Sequence, residues 1–186
     1  METLQPWKTL AREPLFSAGP IKEIARETVL LPDGRVIADY YTAAMGDYAI
    51  VYAVTEDGKV LLLRQYKHGP RRVCLTFPGG HVAPGEDPAE AVGRELLEET
   101  GYRAGLLTPL GSFVVNANQG CNTAHLFRAD GCRHEREPNS GDLEEMRLVM
   151  MAPDEVVTPT AFGEMAVLAS VTLALIASRH PASAPR

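Results

Sequence analysis

Apolar positions along the chain fall into short runs of β-rich residues, separated by turn-forming pairs, with two stretches of helical spacing between them. Thr28–Leu31 and Val36–Tyr41 flank Pro32-Asp33-Gly34 and predict a hairpin. Tyr48–Val54 and Val60–Gln65 flank Asp57-Gly58 and predict a second. Val73–Phe77 reads as a short strand that runs into Pro78-Gly79-Gly80. Leu107–Val115, Thr123–Arg128 and Met146–Met151 read as further strands. The first 20 residues hold Pro6, Pro14 and Pro20 and predict a loose lead-in. Glu135–Leu143, with Pro138 and Gly141, reads as a surface loop. Ala161–Ser178 reads as one helix with Met165, Leu168, Thr172 and Ile176 along a face, and the tail HPASAPR as disordered.

The stretch between Asp87 and Gly101 carries start and stop signals of its own. Asp87 can cap, Pro88 suits the first helical position, and Glu90 sits where a capping box wants an acid. Gly101 readily takes the left-handed conformation that ends a helix. A helix over 88–100 follows. At ~100° per residue, Glu95, Glu98 and Glu99 share an arc of about 100°. Ala89, Val92 and Leu96 fill the neighbouring arc, which can pack on a sheet.

Three carboxylates on adjacent turns repel one another, so this face weakens its own helix. A solvated acidic face is the plain explanation. Two features favour a metal instead. Arg94 neighbours Glu98 on the wheel and can orient it, and Pro78-Gly79-Gly80 lets backbone approach the acids closely. Hard oxygen donors of this kind suit Mg²⁺ or Mn²⁺, which also bind substrate phosphates.

The run Gly80 to Tyr102, GHVAPGEDPAEAVGRELLEETGY, fills every fixed position of the pattern G-x5-E-x7-R-E-U-x-E-E-x-G-U, with U an apolar residue. Gly80, Glu86, Arg94, Glu95, Glu98, Glu99 and Gly101 are the fixed positions, and Leu96 and Tyr102 the apolar ones. In this the chain resembles the Nudix hydrolases. The resemblance implies an α+β fold, a mixed β-sheet sandwiched between α-helices, here with a small N-terminal antiparallel β-sheet segment. It implies that Glu95, Glu98 and Glu99 hold Mg²⁺ (or Mn²⁺) with a backbone carbonyl of Gly79, that Arg94 orients a glutamate, and that Glu86 fixes the loop. The implied reaction is attack of water on a phosphorus of a diphosphate.

Some 45 residues precede the second hairpin, and a leading strand hairpin of this kind resembles the ADP-sugar diphosphatase branch. Arg64-Gln65-Tyr66-Lys67 resembles that branch's Gln-Tyr-Arg stretch, as do Asn118, Asn122 and His125 before Leu126-Phe127-Arg128-Ala129. The branch implies three segments: residues 1–45 as a β segment that pairs two subunits, 46–180 as the hydrolase domain, and 181–186 as a tail. It implies ADP-ribose as substrate, cleaved to AMP and ribose 5-phosphate, with Arg64 among the substrate contacts. It also implies an acid on a late loop as catalytic base. Aligning Met146 with the branch's apolar position makes that acid Glu144; a slip of one residue makes it Glu145. Trp7 reads as an aromatic that stacks on the base or as plain packing. Arg71 and Arg72 read as phosphate contacts or as solvated arginines. One departure stands out: the branch often has Glu-Leu-Pro-Ala-Gly where this chain has Thr76-Phe77-Pro78-Gly79-Gly80. Another nucleotide sugar, a dinucleoside polyphosphate, a nucleoside triphosphate, or a silent nucleotide-sugar sensor are the competing readings.

Composition narrows the field further. The net charge of −6 argues against a broad nucleic-acid surface. Cys74, Cys121 and Cys132 are too few and too spread for a disulfide framework, and read as free thiols in a reducing cytoplasm. The N-terminus lacks a secretory pattern, and Ala161–Ala177, with Glu164, Ser170 and Thr172 inside it, reads as a buried helix rather than a membrane span.

Overall fold

The structure, a computed structural model, describes residues 4–141 and 145–180. Its elements in chain order are β1 (Lys8–Ala18), β2 (Ile21–Leu30), β3 (Val36–Met45), β4 (Tyr48–Thr55), β5 (Val60–Lys67), β6 (Arg72–Thr76), β7 (Gly79–His81), α1 (Pro88–Thr100), β8 (Tyr102–Arg103), β9 (Leu106–Asn116), β10 (Gly120–His134), β11 (Met146–Met151), α2 (Pro153–Val156), α3 (Pro159–Glu164) and α4 (Leu168–Ala177). The chain divides into two compact units. One comprises the residues through Gly46 together with Val114–Thr123; the other comprises Asp47–Phe113 and the residues from Ala124 onward.

In the first unit β2 pairs antiparallel with both β1 and β3, and Gly120-Cys121 run parallel to Ala43-Ala44. The Pro32-Asp33-Gly34 turn lies where the pattern puts it, between β2 and β3. The loose lead-in is a correction: Lys8–Ala18 is an eleven-residue strand. Its Pro14 sits opposite Ala25 beside a register shift, and β1 lies at the end of the strand order, where a proline can be tolerated. Every residue of β1 is exposed.

The second unit is a mixed sheet with helices on both faces. Ala124–Ala129 run parallel to Tyr48–Ala53, and β5 pairs antiparallel with both β6 and β11. Strand alternation sorts side chains between two cores. Ala49, Val51, Leu61 and Phe127 pack with Val92 and Leu96 of α1. Tyr52, Leu62, Leu75, Phe77 and Leu126 pack with Leu173, Ala174 and Ala177 of α4. Leu96 is fully buried, a contribution of about 1.5–3 kcal/mol for a side chain of this kind.

The single C-terminal helix is a second correction. Met165 and Val167 are extended (ψ 111° and 124°), which separates α3 from α4 and shifts the helical phase. Ser170, Leu173, Ala174 and Ala177 are therefore the buried positions of α4, and Leu168 is 78% exposed. Apolar residues surround this stretch on nearly every side, so their spacing does not fix which face turns inward. Among the described residues, no helix is long and apolar enough to cross a membrane. The expectation for the tail 181–186 lies outside the described residues.

Candidate active site

Helix α1 forms as its caps dictate. Asp87 accepts a hydrogen bond from the Ala89 N–H (2.7 Å), and Gly101, at φ 77°, donates its N–H to Leu97 O (3.0 Å). A side chain at Gly101 would run into the carbonyl of Arg136. The packed stripe of Val92 and Leu96 leaves Glu95, Glu98 and Glu99 towards one side of the helix.

The glycine turn meets that side directly. Gly79 N–H donates to Glu99 Oε2 at 2.7 Å, and Glu99 is only 7% exposed. Gly79 itself has φ 148°, and a Cβ there would lie 2.7 Å from Ile50 Cα and collide with the Ala49 carbonyl, so only glycine fits this pairing of β7 with β4. Gly80 faces Glu95, and a Cβ on it would stand 2.5 Å from Glu95 Oε1.

Arg94 gathers the remaining acids. Its guanidinium donates to Glu95 Oε1 (2.8 Å), Glu98 Oε2 (3.2 Å) and Glu86 Oε1 (3.3 Å), and to the His81 carbonyl (3.4 Å). Glu86 also accepts from the Ala83 N–H at 2.8 Å. That backbone bond, and then Arg94, hold the Glu86 carboxyl below the usual carboxylate range, while the surrounding carboxylates, Glu86 first, push the Arg94 guanidinium up.

Among the described residues, no three His, Cys, Asp or Glu side chains already converge on one point. The donor chemistry nevertheless fits a hard divalent cation. Carboxylate oxygens project from successive turns of one helix, and bare glycine backbone leaves the space beside Glu95.

The other expected residues lie in different places. Glu144 falls outside the described residues. Glu145, just before β11, is largely exposed and accepts from Arg147 Nη2 at 3.1 Å. Arg64 shares the strand parity of Val60 and Leu62, so it points to the α4 face of β5, opposite α1. There it pairs with Glu164 (2.5 Å) at a cavity of about 370 Å³ that Leu75, Val149, Met151 and Thr158 also line. Arg71 is exposed at φ 54° in the β5–β6 turn, and Arg72 donates to the Gly163 carbonyl (3.1 Å). Trp7 belongs to the first unit and meets Tyr40 edge-on, ring centroids 5.6 Å apart.

Some contacts escape sequence reasoning. Gln65 Nε2 donates to Thr76 Oγ1 at 2.8 Å, a buried pair eleven residues apart that no local spacing signals. Buried Arg128 grips Asp130 (2.8 Å) and reaches the carbonyls of Ala177 (3.0 Å) and His180 (3.2 Å), closing the end of α4. All three cysteines are free.

A loop–helix unit with this acid pattern, on a mixed sheet between helices, defines a class of hydrolase. The NUDIX domain model matches residues 46–170, and the chain belongs to the Nudix family; it is a Nudix hydrolase. Among curated relatives, the ADP-ribose pyrophosphatase of Bacillus subtilis (strain 168) is 32% identical over 143 residues, covering 77% of this chain and 76% of the relative. The methanol dehydrogenase activator of Bacillus methanolicus is 30% identical over 142 residues, covering 76% and 75%. A crystal structure of an ADP compounds hydrolase superposes with a TM-score of 0.77 at 19% identity over 95% of both chains, a likeness of fold.

Proposed function

We propose that this Nudix hydrolase cleaves the diphosphate of ADP-ribose, giving AMP and ribose 5-phosphate. The observation that carries the reading is the grip of the glycine turn on the acids of α1: Gly79 bonds Glu99, and Gly80 leaves room for Glu95. The name of the Bacillus subtilis relative supports the substrate. Glu95, Glu98 and Glu99, with the carbonyl of Gly79, would hold Mg²⁺ or Mn²⁺. When bound, the cation neutralises phosphate oxygens and lowers the pKa of coordinated water. Arg94 orients Glu95 and Glu98, and Glu86 ties Arg94 to the loop. Glu144 takes the proton of the attacking water; the engagement of Glu145 with Arg147 favours Glu144 in that role. Arg71 and Trp7 are the proposed substrate contacts; Arg64, turned to the face of β5 opposite α1 and paired with Glu164, is left out of that set.

The protein is further proposed to work as a cytoplasmic homodimer. Strand β1 leaves Leu10, Leu15 and Phe16 about half exposed, and the same unit exposes Val36, Tyr41 and Val114. Sheets of two or three strands need a covered apolar face, and a second copy supplies one reciprocally. Sedimentation as a monomer at micromolar concentration would contradict this.

A second reading, another nucleoside diphosphate derivative, is favoured by Thr76 standing where the branch often has glutamate. A panel of nucleotide sugars, dinucleoside polyphosphates and nucleoside triphosphates, assayed for phosphate-monoester products with Mg²⁺ and with Mn²⁺, separates the two. ADP-ribose should give the highest kcat/KM; a different leading substrate selects the second reading.

A further inference from the structure

Gln65 is a polar residue in an apolar strand. It is 3% exposed, and Leu61 and Leu63, on the same face of β5, are fully buried. Its Nε2 bonds Thr76 Oγ1, itself on a residue only 6% exposed. Its Oε1 is shielded from solvent and has no hydrogen-bond partner among the described residues. Buried amides left half-paired cost stability, and a leucine at this position would continue the core without that cost. A local rule broken in this way is expected where function demands it.

The position indicates which function. Leu61 packs in the core beneath α1, and Gln65 shares its parity, so the carboxamide lies on the α1 face of the sheet. Leu63 is the ladder partner of Thr76, which puts Thr76 on the same face. Three residues after Thr76 comes Gly79, whose N–H bonds Glu99. The far end of this turn is clamped to β4. Val51 N–H donates to the Pro78 carbonyl (2.9 Å), and Gly79 packs against Ala49 and Ile50. Between the two ends Phe77 turns to the opposite face, against Tyr52 at 5.4 Å. Thr76 is therefore the near anchor of the turn, and Gln65 is the side chain that holds Thr76.

We propose that Gln65 is a positioning residue of the hydrolase site: through Thr76 it sets the glycine turn, and with it the bond that aims Glu99. This rests on the reading of α1 as the cation site. Partners that orient a metal ligand typically change affinity or activity by about 10–100-fold when removed.

The test uses Gln65→Leu, Thr76→Val, the double variant and Thr76→Ser in the full-length protein, with Mn²⁺ alone titrated by electron paramagnetic resonance and ADP-ribose turnover measured in parallel. Gln65→Leu and Thr76→Val should each weaken Mn²⁺ binding and lower kcat by about tenfold or more, with KM for ADP-ribose little changed. Thr76→Ser should retain wild-type behaviour, and the double variant should be no worse than either single one, because both remove the same bond. A Gln65→Leu protein within twofold of wild type in both Mn²⁺ affinity and kcat overturns the proposal, as does a large effect of Thr76→Val with Gln65→Leu silent. Gln65→Met carries the same test if the leucine variant does not fold. Wild-type protein that binds no Mn²⁺ would instead overturn the cation site itself.

Discussion

Gly80 and Glu95 share one space: a methyl group on Gly80 would stand 2.5 Å from Glu95 Oε1. The obstructed atoms are the far end of a flexible side chain, which can swing away at little cost to the fold. Gly80→Ala should therefore keep its melting temperature within about 4 °C of wild type, under about 1 kcal/mol, while turnover falls because Glu95 is displaced. Gly79→Ala is the opposite case. Its Cβ would meet the backbone of Ala49 and Ile50 at φ 148°, and the variant should lose about 1–3 kcal/mol or more. Thermal melts and kcat on the two proteins check the contrast.

Glu99→Gln and Glu98→Gln should each remove most turnover with the fold kept. Each substitution takes a charge out of a mutually repelling group, so stability should hold or rise slightly. Glu99 also bonds Gly79 N–H, and glutamine retains an acceptor for that bond. Wild-type kcat at saturating Mg²⁺ in both variants would remove this helix from the site.

Glu144→Gln should lower kcat by at least ~10²-fold, the low end for losing a general base. Mn²⁺ binding to the free protein should stay near wild type. Glu145→Gln should have little effect, since its exposed carboxylate pairs with Arg147. A large effect at Glu145 with none at Glu144 would reverse the assignment.

Burial pushes the Cys132 thiol up to about 12. The folded form thus holds its proton more tightly than the unfolded chain, so this contribution to stability is complete below the thiol's ordinary value near 9 and is lost as pH rises towards 12. Burial raises Tyr52 in the same direction. The denaturation midpoint should decrease as pH rises from 9 towards 12, and Cys132→Val should flatten that decline. An unchanged slope in Cys132→Val would contradict the burial argument.

Much of the second unit was legible because its signals are local. Asp87, Pro88 and Gly101 mark α1 to the residue, and Asp57-Gly58 marks the turn between β4 and β5. Local signals misled where a neighbour decides the outcome. Three prolines hid β1, which forms by pairing with β2 at the end of the sheet. An almost wholly apolar C-terminal stretch concealed the break between α3 and α4 and the phase of the buried face. At the site, the acids and Arg94 are spaced along one helix and could be read from it. The Gly80–Glu95 and Gln65–Thr76 contacts bring together residues 15 and eleven positions apart on different elements, so only the assembled sheet reveals them.

The most direct test of the account is a Mg²⁺-dependent time course of ADP-ribose hydrolysis by wild-type protein and Glu99→Gln, with AMP and ribose 5-phosphate quantified together. The wild type should give equal amounts of the two products and none when the cation is chelated, and Glu99→Gln should turn over at least ~10²-fold more slowly. Equal rates in the two proteins, or no cleavage of ADP-ribose by the wild type with Mg²⁺ or Mn²⁺, would contradict the account.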